Sequence, residues 1–440
     1  MRHGPRIYNL FPLLAGRIEN WASLLPAIAA MGFDWVYLNP FHYPGFSGSL
    51  YAVKDYERIH PLLADADANP ESVLAAFVKQ ARDHGLKVMM DLVINHTSKD
   101  SVLVEQCPDA YLRDAHGELV SPSAIDPADA RKVTVWGDLA ELDYSPRPAR
   151  EKLVARWKTL LTRHIAMGFE GFRCDAAYQL PGDVWAELIQ HGRSQGEIAQ
   201  RDVLFLAETL GCRLAQMQQL ANAGFDAFFN SAKWWDFREP WLLEQYESFR
   251  KIAPSIAFPE SHDTQRLATE LREKGMGDTW RIEATYRLRY LFSVFFSSGV
   301  MMPMGFETAQ AKKLDVVKSR PEDLEAPLFD LRAFIGAANA QKRDLCVLCE
   351  EGPQQCITER GSPVVGLLRT REHGPERCLA LINPSPNATC ELSVDNLVHR
   401  VGTGWRTVCD TNLGAVEGSF EPGNTLRFHP LSMRLLHANA

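Results

Sequence analysis

Asp91 opens the segment D-L-V-I-N-H, Arg173 and Asp175 stand in G-F-R-C-D, Glu208 in F-L-A-E-T, and His262 and Asp263 in S-H-D-T. Each fragment lies at or just past a short apolar run that reads as a buried strand. Several acids from distant parts of the chain then converge at one end of a barrel. Carboxyl groups that can attack and protonate, with a cation to hold one of them ionised, are what cleavage of a glycosidic bond through a charged, sugar-like transition state requires. Arg173 and Asp175 are two residues apart on one strand and share a face, so the guanidinium can orient the carboxylate. Singly these features are ordinary: an Arg-x-Asp pair is commonly a local ion pair, and a strand-end Glu a helix-capping acid. Their joint occurrence points to chemistry.

The elements that must position them alternate. Apolar or β-branched runs at Ile7 to Phe11, Trp35 to Asn39, Val88 to Ile94, Gly171 to Asp175, Val203 to Glu208, Ala227 to Asn230, Ile256 to Pro259 and Val300 to Pro303 give eight strand candidates. Helical segments separate most of them, such as Asn69 to Gly85 and Pro148 to Gly168. The pattern predicts an α/β fold, a (β/α)8 TIM barrel, over residues 1-96 and 144-340. From Thr97 to Asp143 the chain is polar and carries Pro108, Pro122 and Pro127 without helical period, which predicts a small inserted domain, 97-143, after strand three. From about Ala340 short alternating runs (V-V-G-L-L-R, C-L-A-L-I-N, W-R-T-V-C) separated by H-G-P, N-P-S-P-N and P-G-N turns predict a C-terminal antiparallel β domain, a β-sandwich, over 341-440.

Bulk properties narrow the partners. The chain has 440 residues, 46% hydrophobic and 23% charged, with a formal net charge of −8. It offers no electrostatic footprint for nucleic acid or an anionic membrane, so neither is expected as a partner. The apolar stretch Leu291 to Met304 is interrupted by serines, Gly299 and Pro303 and reads as a buried helix leading into a strand. The segment I-Y-N-L-F near the start is too short for a signal-peptide core, and nine cysteines without regular spacing match a reducing interior, so the expected location is cytoplasmic. Cys346 and Cys349 form an isolated C-x-x-C, which reads as two buried thiols rather than half a zinc site.

With these residues in hand, the chain resembles the α-amylase superfamily of retaining α-glucan hydrolases and transglycosylases. D-L-V-I-N-H-T at 91–97, G-F-R-C-D-A at 171–176, A-E-T at 207–209 and S-H-D-T at 261–264 resemble the family's four signature regions, in order. Y-A-V-K-D-Y at 51–56 looks like its G-Y-D-V-x-D-Y. The resemblance implies the barrel, the insertion and the terminal β domain. It also implies Asp175 as nucleophile, Glu208 as general acid/base and Asp263 as the third carboxylate, with Arg173 orienting the nucleophile. His96 and His262 would donate to sugar hydroxyls, and Tyr51 would stack under the sugar ring. Asp91 corresponds to a structural acid beneath the site and stays outside the catalytic set.

The expected partner is an α-glucan or maltooligosaccharide, cleaved by hydrolysis or transfer through a covalent glycosyl-Asp intermediate, with no cofactor. Departures from the family pattern bear on specificity. Tyr178 and Gln179 replace a frequent Lys-His on the acceptor side, where the Tyr178 ring could hold a sugar and exclude water. Glu141 in L-A-E-L stands in place of an Asp, and Ser261 in place of an Asn. Asn95 matches a calcium ligand of many amylases, but one carboxamide makes no hard-cation cage, and no metal is expected. Trp136, Trp234 and Trp235 read as core or domain contacts more readily than as sugar platforms. The competing reading is a catalytically silent sugar-binding or regulatory barrel, favoured only if one of the three acids were missing. A metal-dependent barrel enzyme lacks any H-x-H or paired ligand motif.

Overall fold

The computed structural model describes residues 4–126, 129–412 and 418–439; Pro127, one of the prolines marking the insertion, lies outside them. The eight apolar runs pair in parallel and in chain order: β1 (Arg6–Leu10), β2 (Trp35–Leu38), β3 (Lys87–Leu92), β4 (Gly171–Cys174), β5 (Leu204–Ala207), β6 (Ala227–Phe229), β7 (Ser255–Ala257) and β8 (Gly299–Pro303). β8 returns to β1 and closes the barrel. Both faces of most strands are buried, which is why they read as continuous apolar runs rather than alternating ones. Inward residues including Ile7, Trp35, Tyr37, Met89, Leu206, Phe229, Ile256 and Met301 fill the barrel. Their sequence neighbours, such as Val36, Met90, Phe172 and Cys174, face the surrounding helices.

Those helices start and stop where local chemistry dictates. Helix Pro70–Asp83 is capped by Asn69, whose side chain accepts from the Ser72 N–H at 2.9 Å. Helix Arg147–Met167 ends at Gly168, whose φ of 109° suits glycine best. The stretch Leu291 to Met304 is the end of helix Thr279–Phe296 running directly into β8.

Excursions at the C-terminal ends of the strands build the rim. After β2, antiparallel strands His42–Pro44 and Val53–Ile59 bring Tyr51 over the barrel. After β3, His96–Ser98 pairs with Leu139–Glu141, and a hairpin of Ser123–Asp126 and Asp129–Val135 lies between them.

At the other end of the chain lie β9 (Gln354–Cys356), β10 (Val365–Thr370), β11 (Glu376–Asn383), β12 (Cys390–Ser393), β13 (Arg406–Asp410), β14 (Thr425–Phe428) and β15 (Ser432–Asn439). They form an antiparallel sheet in the order β9-β10-β11-β15-β13 and a separate β12-β14 pair. Alternation divides the five-stranded sheet: Leu368, Leu379, Leu381 and Leu436 pack with Leu392 and Phe428 of the pair, whereas Leu367, Cys378, Ala380 and Leu435 join the core around the barrel. Helix Arg332–Asp344 runs past residue 340, so the change of composition there falls inside an element. The helix continues because buried Lys342 is fixed by donating to the carbonyls of Val294, Ser297 and Leu348.

Candidate active site

Register sets the floor of the site. Arg173 on β4 lies opposite Asp91 on β3 and Leu206 on β5, so its side chain enters the barrel interior. One guanidinium nitrogen, Nη1, donates to both oxygens of Asp91, at 2.9 and 3.1 Å, and to Asp175 Oδ1 at 2.5 Å. The other, Nη2, lies 3.5 Å from Glu208 Oε2. A single buried cation thus ties together three carboxyls from three adjacent strands. Its charge opposes the repulsion that would otherwise scatter or neutralise them.

The turn after β4 supplies a second tie. Ala176 adopts φ 39° and ψ 48°, a left-handed conformation uncommon for alanine, and its N–H donates to Glu208 Oε2 at 2.7 Å. Strain of this kind persists where neighbouring structure holds it, and it clusters at functional sites. Burial is the main cause that pushes the Glu208 carboxyl up to about 7. Asp175 and Asp263 add to the rise and Arg173 opposes it. Glu208 is therefore a carboxylic acid with a proton to give near neutrality.

Beneath the floor runs a polar network that the sequence did not disclose. Tyr37 and Tyr51 both donate to Asp91 Oδ2, at 2.5 and 2.6 Å, and Asn39 donates to the hydroxyl of Tyr51 at 3.0 Å. Burial raises Asp91 to about 6, against the pull of Arg173 and of the two hydroxyls. At pH 7 it is an ionised acceptor. The Tyr51 proton then belongs to Asp91, and His262 Nε2, 2.7 Å from the same hydroxyl, must be the N–H that donates to it. Burial lowers the pKa of His262, consistent with a neutral ring. The two rings stack with centroids 5.6 Å apart and an interplanar angle of 5°.

A cleft opens above this floor. Asp175, Glu208, Asp263, Arg173, Tyr51, His96 and Tyr178 line it, together with Gln179. His262 does not; it lines a smaller cavity behind Glu208 and Asp263 with Phe229, Phe258 and Met301. His96 Nε2 is turned to the carbonyl of Tyr51 at 3.2 Å. Asp263 is the outermost acid, its side chain 56% exposed and 3.1 Å from His262 Nε2. The structure therefore brings all eight expected residues into one neighbourhood, with His262 below the cleft.

Two tryptophans correct the expectation from sequence. Trp136 is 42% exposed and lines the cleft wall beside Pro122, Asp138 and Leu139, and Trp234 is 50% exposed, whereas Trp235 is buried as expected. Trp136 sits at the end of a hairpin strand, where an apolar ring has no core to enter. Asn95 is buried and its Oδ1 finds no protein partner, while among the described residues no three His, Cys, Asp or Glu side chains gather as a metal cluster would require. Cys346 and Cys349 are free thiols, the latter buried.

The family model "Glycogen debranching enzyme, glucanotransferase domain" matches residues 6–118. An alpha-1,4-glucan:maltose-1-phosphate maltosyltransferase of Burkholderia pseudomallei is 29% identical over 388 residues, covering 86% of this chain and 33% of that protein. A maltosyltransferase of the same description from Myxococcus xanthus is 25% identical, covering 87% of this chain and 59% of its own. The chain thus spans between a third and three fifths of these relatives' lengths. Among solved structures, an alpha-amylase from Lactobacillus plantarum superposes with a TM-score of 0.72 over 98% of both chains at 21% identity, a likeness of fold. Four motif segments, each on or shortly after its barrel strand, and relatives aligned along most of the sequence place this chain in the α-amylase superfamily.

Proposed function

We propose that the chain is a retaining enzyme that cleaves α-glucosidic bonds of α-glucans or maltooligosaccharides and passes the glycosyl group to water or to another sugar. Asp175 attacks the anomeric carbon and forms a covalent glycosyl ester, while Glu208 gives its proton to the departing oxygen and then takes one from the acceptor. Asp263 at the rim holds sugar hydroxyls and Tyr51 lies under the ring. The observation that carries this reading is the three-way tie at Arg173, which sets a guanidinium against Asp175 while burial keeps Glu208 protonated to about pH 7. Two carboxyls with divided roles are what a double displacement needs.

The division into a barrel (1-96, 144-340), an insertion (97-143) and a terminal β domain (341-440) is part of the same reading. So is a cytoplasmic location, supported by nine free cysteines. No helix among the described residues is long and apolar enough to cross a membrane. Incubation with maltotetraose, followed by chromatography and proton NMR of the first products, tests the reaction class. Products released first as the α-anomer are expected; β-anomers would contradict it.

A further inference from the structure

We propose that the site selects donors by the charge of the leaving group, taking α-glucosides that release an uncharged sugar and rejecting α-glycosyl phosphates. This rests on the glycoside-cleaving reading above and adds the substrate class. Four carboxyls line the cleft: Asp138, Asp175, Glu208 and Asp263. Among the described lining residues Arg173 is the only guanidinium or ammonium group, and its side chain is just 5% exposed. Both of its terminal nitrogens are engaged by carboxyl groups, Nη1 by Asp91 and Asp175 and Nη2 by Glu208, so its charge is already met within the floor of the site.

Backbone offers no substitute at this point. An N–H in a left-handed turn beside a nucleophile is well placed to cradle an anion, yet the Ala176 N–H is occupied by Glu208 Oε2. The positions that follow the nucleophile are Tyr178, whose ring lines the cleft, and Gln179, a neutral carboxamide. A ring face and an amide suit a sugar that departs as an alcohol.

The proton balance agrees. As Asp175 Oδ forms its bond to C1, the C1–O bond breaks, and the Glu208 proton passes to that oxygen; the alcohol leaves neutral and Glu208 remains as carboxylate. A phosphate carrying about two negative charges would instead depart among carboxyl groups, with no free cation among the described lining residues to receive it.

Maltotriose and maltose 1-phosphate place the same maltosyl group on the enzyme and differ in what leaves. The expected kcat/KM for maltose 1-phosphate is about 100-fold lower than for maltotriose, the scale of a few like-charge contacts in a half-buried cleft. Phosphate release as fast as or faster than glucose release overturns the proposal. Affinities measured by titration calorimetry with the Glu208→Gln variant decide the matter independently of turnover. Maltose 1-phosphate is expected to bind at least about tenfold more weakly than maltose, and Asp138→Asn in the same background should narrow the gap. Equal or tighter binding of the phosphate refutes charge selection even if neither donor is cleaved, whereas failure to cleave either donor with the binding preference intact counts against the reaction class alone.

Discussion

Replacing Glu208 with Gln should make the protein more stable at alkaline pH while removing the proposed acid catalyst. Burial raises this carboxyl from its ordinary 4.5 to about 7, so the folded chain holds the proton more tightly than the unfolded one. The sign follows: the stabilising contribution is complete below pH 4.5, where both states are protonated, and is lost as pH rises through 7, where the folded protein must bear a buried charge. Roughly two and a half pH units at about 1.4 kcal/mol each give a loss of about 3 kcal/mol by pH 8. The side chain is only 17% exposed, so solvent screening removes little of it. Gln is neutral at every pH and keeps an oxygen for the Ala176 N–H. For a chain of 440 residues with about 2 cal/mol/K of unfolding entropy per residue, 3 kcal/mol corresponds to about 3 °C in Tm. Calorimetric scans of both proteins at pH 4.5 and pH 8 provide the assay. The variant should melt about 3 °C higher at pH 8 and at nearly the same temperature at pH 4.5. Equal melting at pH 8, or the same offset at both pH values, would refute the assignment of a destabilising buried charge to Glu208.

Other perturbations separate the remaining parts of the site. Asp175→Asn should lower kcat by several orders of magnitude without unfolding the chain, whereas Cys174→Ser, on the outer face of the same strand, should leave turnover largely intact; comparable losses in both would mean that the strand and not the carboxylate matters. Tyr51→Phe removes a hydroxyl bonded to Asp91, Asn39 and His262 and should cost about 10- to 100-fold in kcat/KM with Tm little changed, read from initial rates and a melt. Tyr178→Ala should raise the ratio of reducing ends formed to bonds cleaved without abolishing cleavage, measured on maltotetraose. Exhaustive chelation should leave Tm and rate unchanged, since native-state metal binding would add stability; restoration of a lost Tm by calcium would contradict this.

The barrel was legible because each strand is buried on both faces and therefore appears as an uninterrupted apolar run between turn residues. The acids were legible because each ends such a run. What stayed hidden depends on contacts between distant segments. Tyr37 and Asn39 sit in V-Y-L-N-P, which reads only as a strand and its end, yet they brace Asp91 on the neighbouring strand and Tyr51 in the loop above it. Trp136 and Val316 reach the cleft from the insertion and from the loop after β8, and no local period marks either as lining it. His262 was read as a sugar contact; its Nε2 is spent on Tyr51, a partner 211 residues away in sequence. The end of helix Arg332–Asp344 was masked because Lys342 looks solvent-directed until three carbonyls surround it.

The covalent intermediate on Asp175 is the central claim, and trapping it is the most direct measurement. Reaction of the intact protein with 5-fluoro-α-D-glucosyl fluoride, digestion and mass spectrometry should find one fluoroglucosyl group on the peptide containing Gly171 to Ala176, esterified at Asp175. An adduct at Glu208 or Asp263, or turnover of the reagent without any adduct, would contradict the account.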